Sequence, residues 1–140
     1  MSSPLNMANQ FPLLGADVIE RYEPVRLLGQ GSFASVLEAR NRRTGARVAI
    51  KHIPVLGKGR AAFLKEVRHL VDLAHPNIVR CLDLCSSDPT ASDLVLEYAD
   101  GGTLRTVMAE ATAWSFRDAW PVLVDVARGL HSAHDHGIVH

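Results

Sequence analysis

The sequence is poor in several features that would otherwise class it quickly. It has only two cysteines in 140 residues. That is too few for a disulfide framework and points to a reducing compartment, the cytoplasm. No apolar run approaches the ~20 residues that a membrane-spanning helix needs. Residues 1–15 lack the basic start, long apolar stretch and cleavage pattern of a secretory signal. There is no internal repeat and no low-complexity tract. Net charge is also missing, with 15 Lys plus Arg against 15 Asp plus Glu. What is present is ordinary globular material: 47% apolar residues exclude intrinsic disorder, and the length suits one domain.

The zero net charge conceals an asymmetry. Residues 1–20 carry Asp17 and Glu20 and no base. Residues 21–80 carry twelve bases and four acids, and residues 81–140 three bases and nine acids. No nucleic-acid partner is expected, but a basic half joined to an acidic half needs an explanation.

Hydrophobic periodicity divides the chain into strands followed by helices. Residues 21–28, 35–40 and 47–53 read as strands, the last two joined by the polar turn Asn41-Arg42-Arg43-Thr44-Gly45. Residues 60–74 have helical spacing, with Phe63, Val67, Leu70, Val71 and Ala74 on one stripe, and Pro76 stops them. Residues 78–84 and 94–98 read as two more strands separated by a polar loop, 86–93. Residues 103–111 form a short helix. Ser115 and Asp118 form a capping box that opens a helix to about His134, and Pro121 either delays its start or kinks it. Five strands with one inserted helix, then helices alone, make an α+β fold with a small antiparallel sheet.

The run Gly29-Gln30-Gly31-Ser32-Phe33-Ala34 can be compared with three glycine-rich devices. A dinucleotide fold requires a helix directly after the glycines and an acid about 20 residues on, and neither is present. A P-loop requires Gly-Lys followed by Ser or Thr, whereas Lys58 precedes Gly59. A β-hairpin flap over nucleotide phosphates remains, with Gly29 and Gly31 letting backbone N–H groups approach phosphate oxygens. In Val48-Ala49-Ile50-Lys51, strand alternation puts Ala49 and Lys51 on one face, which suits a flat base above a phosphate. Glu66 lies on or beside the apolar helical stripe. It is either a rim carboxylate or the partner of a cation, for which Lys51 is the natural candidate.

With these residues assembled, the sequence resembles a protein kinase from Leu28 to His140. Leu28-Gly29-Gln30-Gly31-Ser32-Phe33-Ala34-Ser35-Val36 is similar to the family's glycine-rich loop, with Ala34 in place of its last glycine. Val48-Ala49-Ile50-Lys51 matches the strand bearing the phosphate-binding lysine, and Glu66 falls where the family's helix glutamate pairs with that lysine. His75-Pro76-Asn77-Ile78-Val79 resembles the junction after that helix. Leu94-Val95-Leu96-Glu97-Tyr98-Ala99-Asp100-Gly101-Gly102 resembles the fifth strand and hinge. His134-Asp135-His136-Gly137-Ile138-Val139-His140 resembles the approach to the catalytic loop, with His140 as the first residue of its His-Arg-Asp.

The resemblance implies a kinase small lobe over residues 21–97, after a flexible extension, 1–20. Hinge and first large-lobe helices follow over 98–140, truncated. It implies ATP with Mg²⁺ as cofactors, a protein substrate, and phosphoryl transfer to Ser or Thr. Leu28, Val36 and Ala49 would sandwich the adenine, with Leu96 as gatekeeper behind it. The backbone of Glu97 and Ala99 would meet the base edge, and the flap Gly29 to Ser35 the phosphates. Lys51 and Glu66 are the expected catalytic residues. The family's catalytic Asp and its metal-binding Asn and Asp have no counterpart in the 140 residues. The chain is therefore expected to be a kinase fragment inactive alone, with a pseudokinase or regulatory truncation as the alternative. Cys81 and Cys85, ~13 Å apart on one strand, are too distant for a disulfide. Trp114 and Trp120 are expected as core or interface anchors, and the histidines near the end do not suggest a metal site.

Overall fold

The computed structural model describes residue 12 and residues 14–55, 60–86, 89–110 and 113–138. Five strands form one sheet: β1 (Tyr22–Gln30), β2 (Ser35–Asn41), β3 (Arg47–Pro54), β4 (Cys81–Cys85) and β5 (Ala91–Glu97). Their spatial order is β1-β2-β3-β5-β4, and every pairing is antiparallel. Helix α1 (Ala16–Arg21) precedes the sheet, and α2 (Arg60–Asp72) is inserted between β3 and β4. Helices α3 (Leu104–Glu110) and α4 (Phe116–Asp135) follow it. This is the α+β arrangement expected from the sequence.

Local chemistry explains the boundaries. Asn41 Oδ1 accepts from the N–H groups of Arg43 and Thr44, both at 3.0 Å, and Gly45 takes φ 72°, so the polar run closes the β2–β3 hairpin. Asp118 N–H donates to Ser115 Oγ at 3.3 Å, and Ser115 N–H donates to Asp118 Oδ2 at 3.1 Å. This reciprocal cap starts α4 at Phe116, and the helix runs through Pro121. The delayed start is thereby excluded. Gly129 of α4 crosses the loop after α2 so closely that a Cβ there would lie 3.0 Å from the Asn77 carbonyl oxygen.

Strand alternation gives the sheet two different faces. Val48, Ile50 and Val95 point to the outer face, where they form one core with Leu37 and Ala39. Lys51, Ala49, Ile53, Leu94 and Leu96 point to the inner face. Helix α2 covers part of that face by packing Val67 against Cys81 and Leu94, with Phe63, Ile53, Leu84 and Leu96 around them.

Four expectations need correction. Residues 86–93 are not all loop: β5 begins at Ala91, three residues before the apolar run, and β4 begins at Cys81 rather than at 78. Ser92 and Asp93 are buried, which sequence polarity argues against. Asp93 is accommodated because its Oδ1 lies 2.8 Å from His52 Nδ1 and its Oδ2 accepts from Gly15 N–H at 3.2 Å. Second, the extension 1–20 is structured from Leu14 onward. Leu14, Val18 and Tyr22 join the outer core, with Val18 wholly buried, and Arg42 holds this segment by donating to the Arg21 and Ile19 carbonyls. Third, Val71 is exposed and Leu73 is buried instead, because the chain leaves the helix after Asp72. Fourth, of the two roles expected for Trp120 the core one is excluded: it is exposed, its ring 5.3 Å from that of Phe116 between centroids. Cys81 and Cys85 are both free and buried. No described helix is long and apolar enough to cross a membrane.

Candidate functional site

The inner face of the sheet is organised in cross-strand rows, because antiparallel partners share a face. One row runs Arg26, Glu38, Ala49, Leu96 and Cys81; the next contains Gly29, Val36, Lys51 and Leu94. The sheet thus brings together a small residue, an apolar side chain and a cation, drawn from two strands far apart in sequence. Val36, Ala49, Lys51 and Leu96 are all half-buried, while Leu28 at the end of β1 is more exposed. A shallow apolar surface floored by Ala49, with an ammonium one row away, fits a flat heterocycle carrying an anionic tail.

The glycine run forms the turn between β1 and β2. Gly31 N–H donates to the Ala34 carbonyl at 2.8 Å, and Ser32 and Phe33 lie at the tip with Phe33 87% exposed. Neither Gly29 nor Gly31 has a positive φ. A Cβ at Gly29 would meet nothing within 4 Å, and one at Gly31 only the Ala34 carbonyl oxygen at 3.6 Å. Internal packing therefore does not require these glycines; what their lack of a side chain preserves is unfilled space beside the backbone amides. Gln30 and Ser35 close the two strands at the base of the turn, as register partners.

Lys51 sits at the centre of the inner face, between Val36 and Leu94. Among the described residues no carboxylate comes within ion-pair distance of it. Glu66 belongs to α2, next to Val67, whose side chain anchors that helix on the same face. The Glu66 side chain lies outside the described residues, and so does His140.

At the end of β5 the chain leaves the sheet and crosses to α3. Glu97 N–H donates to the Arg80 carbonyl at 3.0 Å, and Glu97 Oε1 accepts from Arg80 N–H at 3.0 Å. Of its backbone groups, Glu97 can therefore offer a ligand only its carbonyl. Ala99 is exposed, and no hydrogen bond to its amide or carbonyl occurs among the described residues. Gly102, at φ 76°, turns the chain into α3, where Thr103 Oγ1 accepts from Thr106 N–H at 3.1 Å.

Sequence reasoning missed a polar cluster beside this crossing. Glu38, 8% exposed at its side chain, accepts on Oε2 from Arg26 Nε at 2.8 Å and from the Tyr98 hydroxyl at 3.2 Å. Arg26 Nη2 also donates to the Tyr98 oxygen at 3.2 Å. The Arg47 guanidinium stacks 4.5 Å from the Tyr98 ring centroid and lies 3.7 Å from Asp100. The hydrogen bond to Glu38 pushes the Arg26 guanidinium further up from its already high value. The only signal in the sequence was a lone acid in a strand between apolar neighbours.

Mg²⁺ finds no ready-made cage in this half: among the described residues no three His, Cys, Asp or Glu side chains converge.

A five-stranded antiparallel sheet with one inserted helix, a glycine turn between its first two strands and a crossing from β5 to further helices is the small-lobe arrangement that the sequence led us to expect. The chain matches the protein kinase domain over residues 22–140 and belongs to that family. It is 31% identical over 132 residues to a probable serine/threonine-protein kinase of Clostridium perfringens, covering 91% of this chain and 19% of that protein. It is 38% identical over 130 residues to a serine/threonine-protein kinase of Drosophila willistoni, covering 89% of this chain and 16% of the relative. A dual specificity testis-specific protein kinase of Homo sapiens is 31% identical over 126 residues, with 87% and 19% covered. The chain thus spans about a fifth of the length of the curated relatives it matches.

Proposed function

We propose that these residues are the ATP-binding part of a protein kinase that transfers the γ-phosphoryl group of ATP to a serine or threonine hydroxyl of a protein. The observation that carries this reading is the pair of adjacent rows, Ala49 with Leu96 and Val36 with Lys51, beneath the glycine turn in a chain of the kinase family. In this reading the small lobe is 21–97, and the hinge and first large-lobe helices are 98–140. Leu28, Val36, Ala49 and Leu96 enclose the adenine. The Glu97 carbonyl and the Ala99 backbone hydrogen-bond its edge.

The amides from Gly29 to Ser35 meet the phosphates, and Lys51 neutralises charge on the α- and β-phosphates while Glu66 holds its ammonium in place. Catalysis of this kind is mainly positioning and charge stabilisation, which these residues supply to the nucleotide end. Mg²⁺ would arrive with the nucleotide and offset charge on its phosphates. The His-Arg-Asp aspartate and the Asp-Phe-Gly motif are not among the 140 residues, so the chain by itself binds nucleotide without transferring phosphate. Two buried free thiols suit the reducing cytoplasm.

Thermal unfolding with and without Mg-ATP tests the reading. At 100 times its dissociation constant a ligand stabilises the folded state by about 2.7 kcal/mol. A melting temperature that does not move under saturating Mg-ATP overturns it.

A further inference from the structure

The polar cluster at the hinge has a location that its composition does not require. Glu38 stands in the same cross-strand row as Ala49 and Leu96, directly beside the surface assigned to the base. A carboxylate at a position so little exposed is costly unless several donors satisfy it. Here two donors do so through one oxygen: Arg26 from β1 and Tyr98 from the chain leaving β5. Tyr98 lies between Glu97 and Ala99, and its ring is held from the other side by Arg47 of β3. Arg47 also pairs with Asp100, two residues further along the crossing. One side chain of the crossing is therefore fastened to three separate strands. A hinge needing only attachment would be served by the two hydrogen bonds between Glu97 and Arg80 already present, one backbone to backbone and one accepted by the Glu97 side chain.

We propose that Glu38 and Tyr98 form a latch that positions the hinge backbone for the base, making both positioning residues for nucleotide selection. The latch rests on the ATP reading above. It couples the β1–β2 hairpin, which bears the glycine turn, to the peptide whose carbonyl and amide meet the base edge. Neither residue needs to touch the nucleotide. Fixing the Glu97 to Ala99 backbone sharpens discrimination between bases that differ only in their edge groups, because a loose backbone adapts to either. Hypoxanthine offers a carbonyl and a protonated ring nitrogen where adenine offers an amino group and an acceptor, so ATP and ITP differ at that edge alone.

The test measures Mg-ATP and Mg-ITP affinities by titration calorimetry on the 140-residue chain and on Tyr98→Phe, Glu38→Ala and Glu38→Gln. Wild type is expected to prefer ATP. In Tyr98→Phe and Glu38→Ala the ATP-to-ITP preference should shrink about 3- to 10-fold, the size of one net hydrogen bond. Glu38→Gln, which keeps an acceptor for the Tyr98 hydroxyl, should recover part of it. The phosphates are identical in the two ligands, so a variant that merely loosens the fold lowers both affinities in parallel. A parallel loss, or no change in either affinity, overturns the latch while leaving the ATP reading intact. If wild type binds neither nucleotide, the ATP reading itself fails and the latch with it.

Discussion

The two faces of the small sheet are built from the same strands and do opposite work. On β3, Val48, Ile50 and His52 are buried on the outer face, while Ala49, Lys51 and Ile53, their immediate neighbours, are only half-buried on the inner one. The outer face is sealed by residues 14–22 and contains a buried His52–Asp93 pair. Part of the inner face is covered by α2, and the rest is the surface proposed to take the nucleotide. A period of two lets one strand serve the core and the site at once, so changes one residue apart should produce different kinds of loss.

The largest effect is expected from Asp93→Ala on the sealed face. It leaves the buried Gly15 amide and the His52 ring nitrogen without their partner, and each buried polar group left unsatisfied costs about 1–3 kcal/mol. Urea unfolding should show that loss, and a midpoint unchanged from wild type would mean the outer face is not the stabilising one. Lys51→Met on the inner face should do the reverse. Removing a charge-assisted contact to phosphate is worth about 1.5–3 kcal/mol, or roughly 10- to 150-fold in Mg-ATP affinity. Its unfolding free energy from urea titration without nucleotide should change by less than about 0.5 kcal/mol, as for a substitution outside the core.

Cys85 reports on the outer face more gently. Burial, followed by the field of Asp83, pushes its thiol up from 9.0 to about 12. A raised thiol contributes stability while it stays protonated. That contribution is complete below pH 9 and is lost as the pH rises toward 12, because the unfolded chain ionises first. Stability should therefore fall over this window in wild type and fall less in Cys85→Ala; identical alkaline profiles would contradict the assignment. The smallest effect belongs to the tip of the glycine turn. Phe33→Ala, at a position 87% exposed, should leave stability within about 0.5 kcal/mol of wild type. A larger drop in a thermal melt would show that the turn is packed rather than free.

Much of the architecture was readable in advance, for reasons that can be located. The β2–β3 turn, the α4 capping box and the alternation in Val48-Ala49-Ile50-Lys51 all depend on chemistry within a few residues. Failures occurred where a residue's state depends on a distant partner. Asp93 reads as loop because its compensating His52 is 41 positions away. Residues 14–21 read as a tail because α1 has six residues, too short for a hydrophobic period to register. The site divides the same way. Gly29, Gly31 and Lys51 could be picked out by motif, whereas Glu38 and Tyr98, 60 positions apart, carry no local signature of their meeting.

Local patterning was enough to place most of the strands and helices, α1 and the start of β5 excepted. Period, turn chemistry and capping act over distances shorter than one element. That residues 14–22 close the outer face, that Asp93 can be buried and that Glu38 reaches Tyr98 follows from the folded arrangement alone. Each of these depends on the sheet order β1-β2-β3-β5-β4 setting side by side groups that the chain keeps far apart. Burial of a polar group becomes affordable only after that juxtaposition supplies its partners.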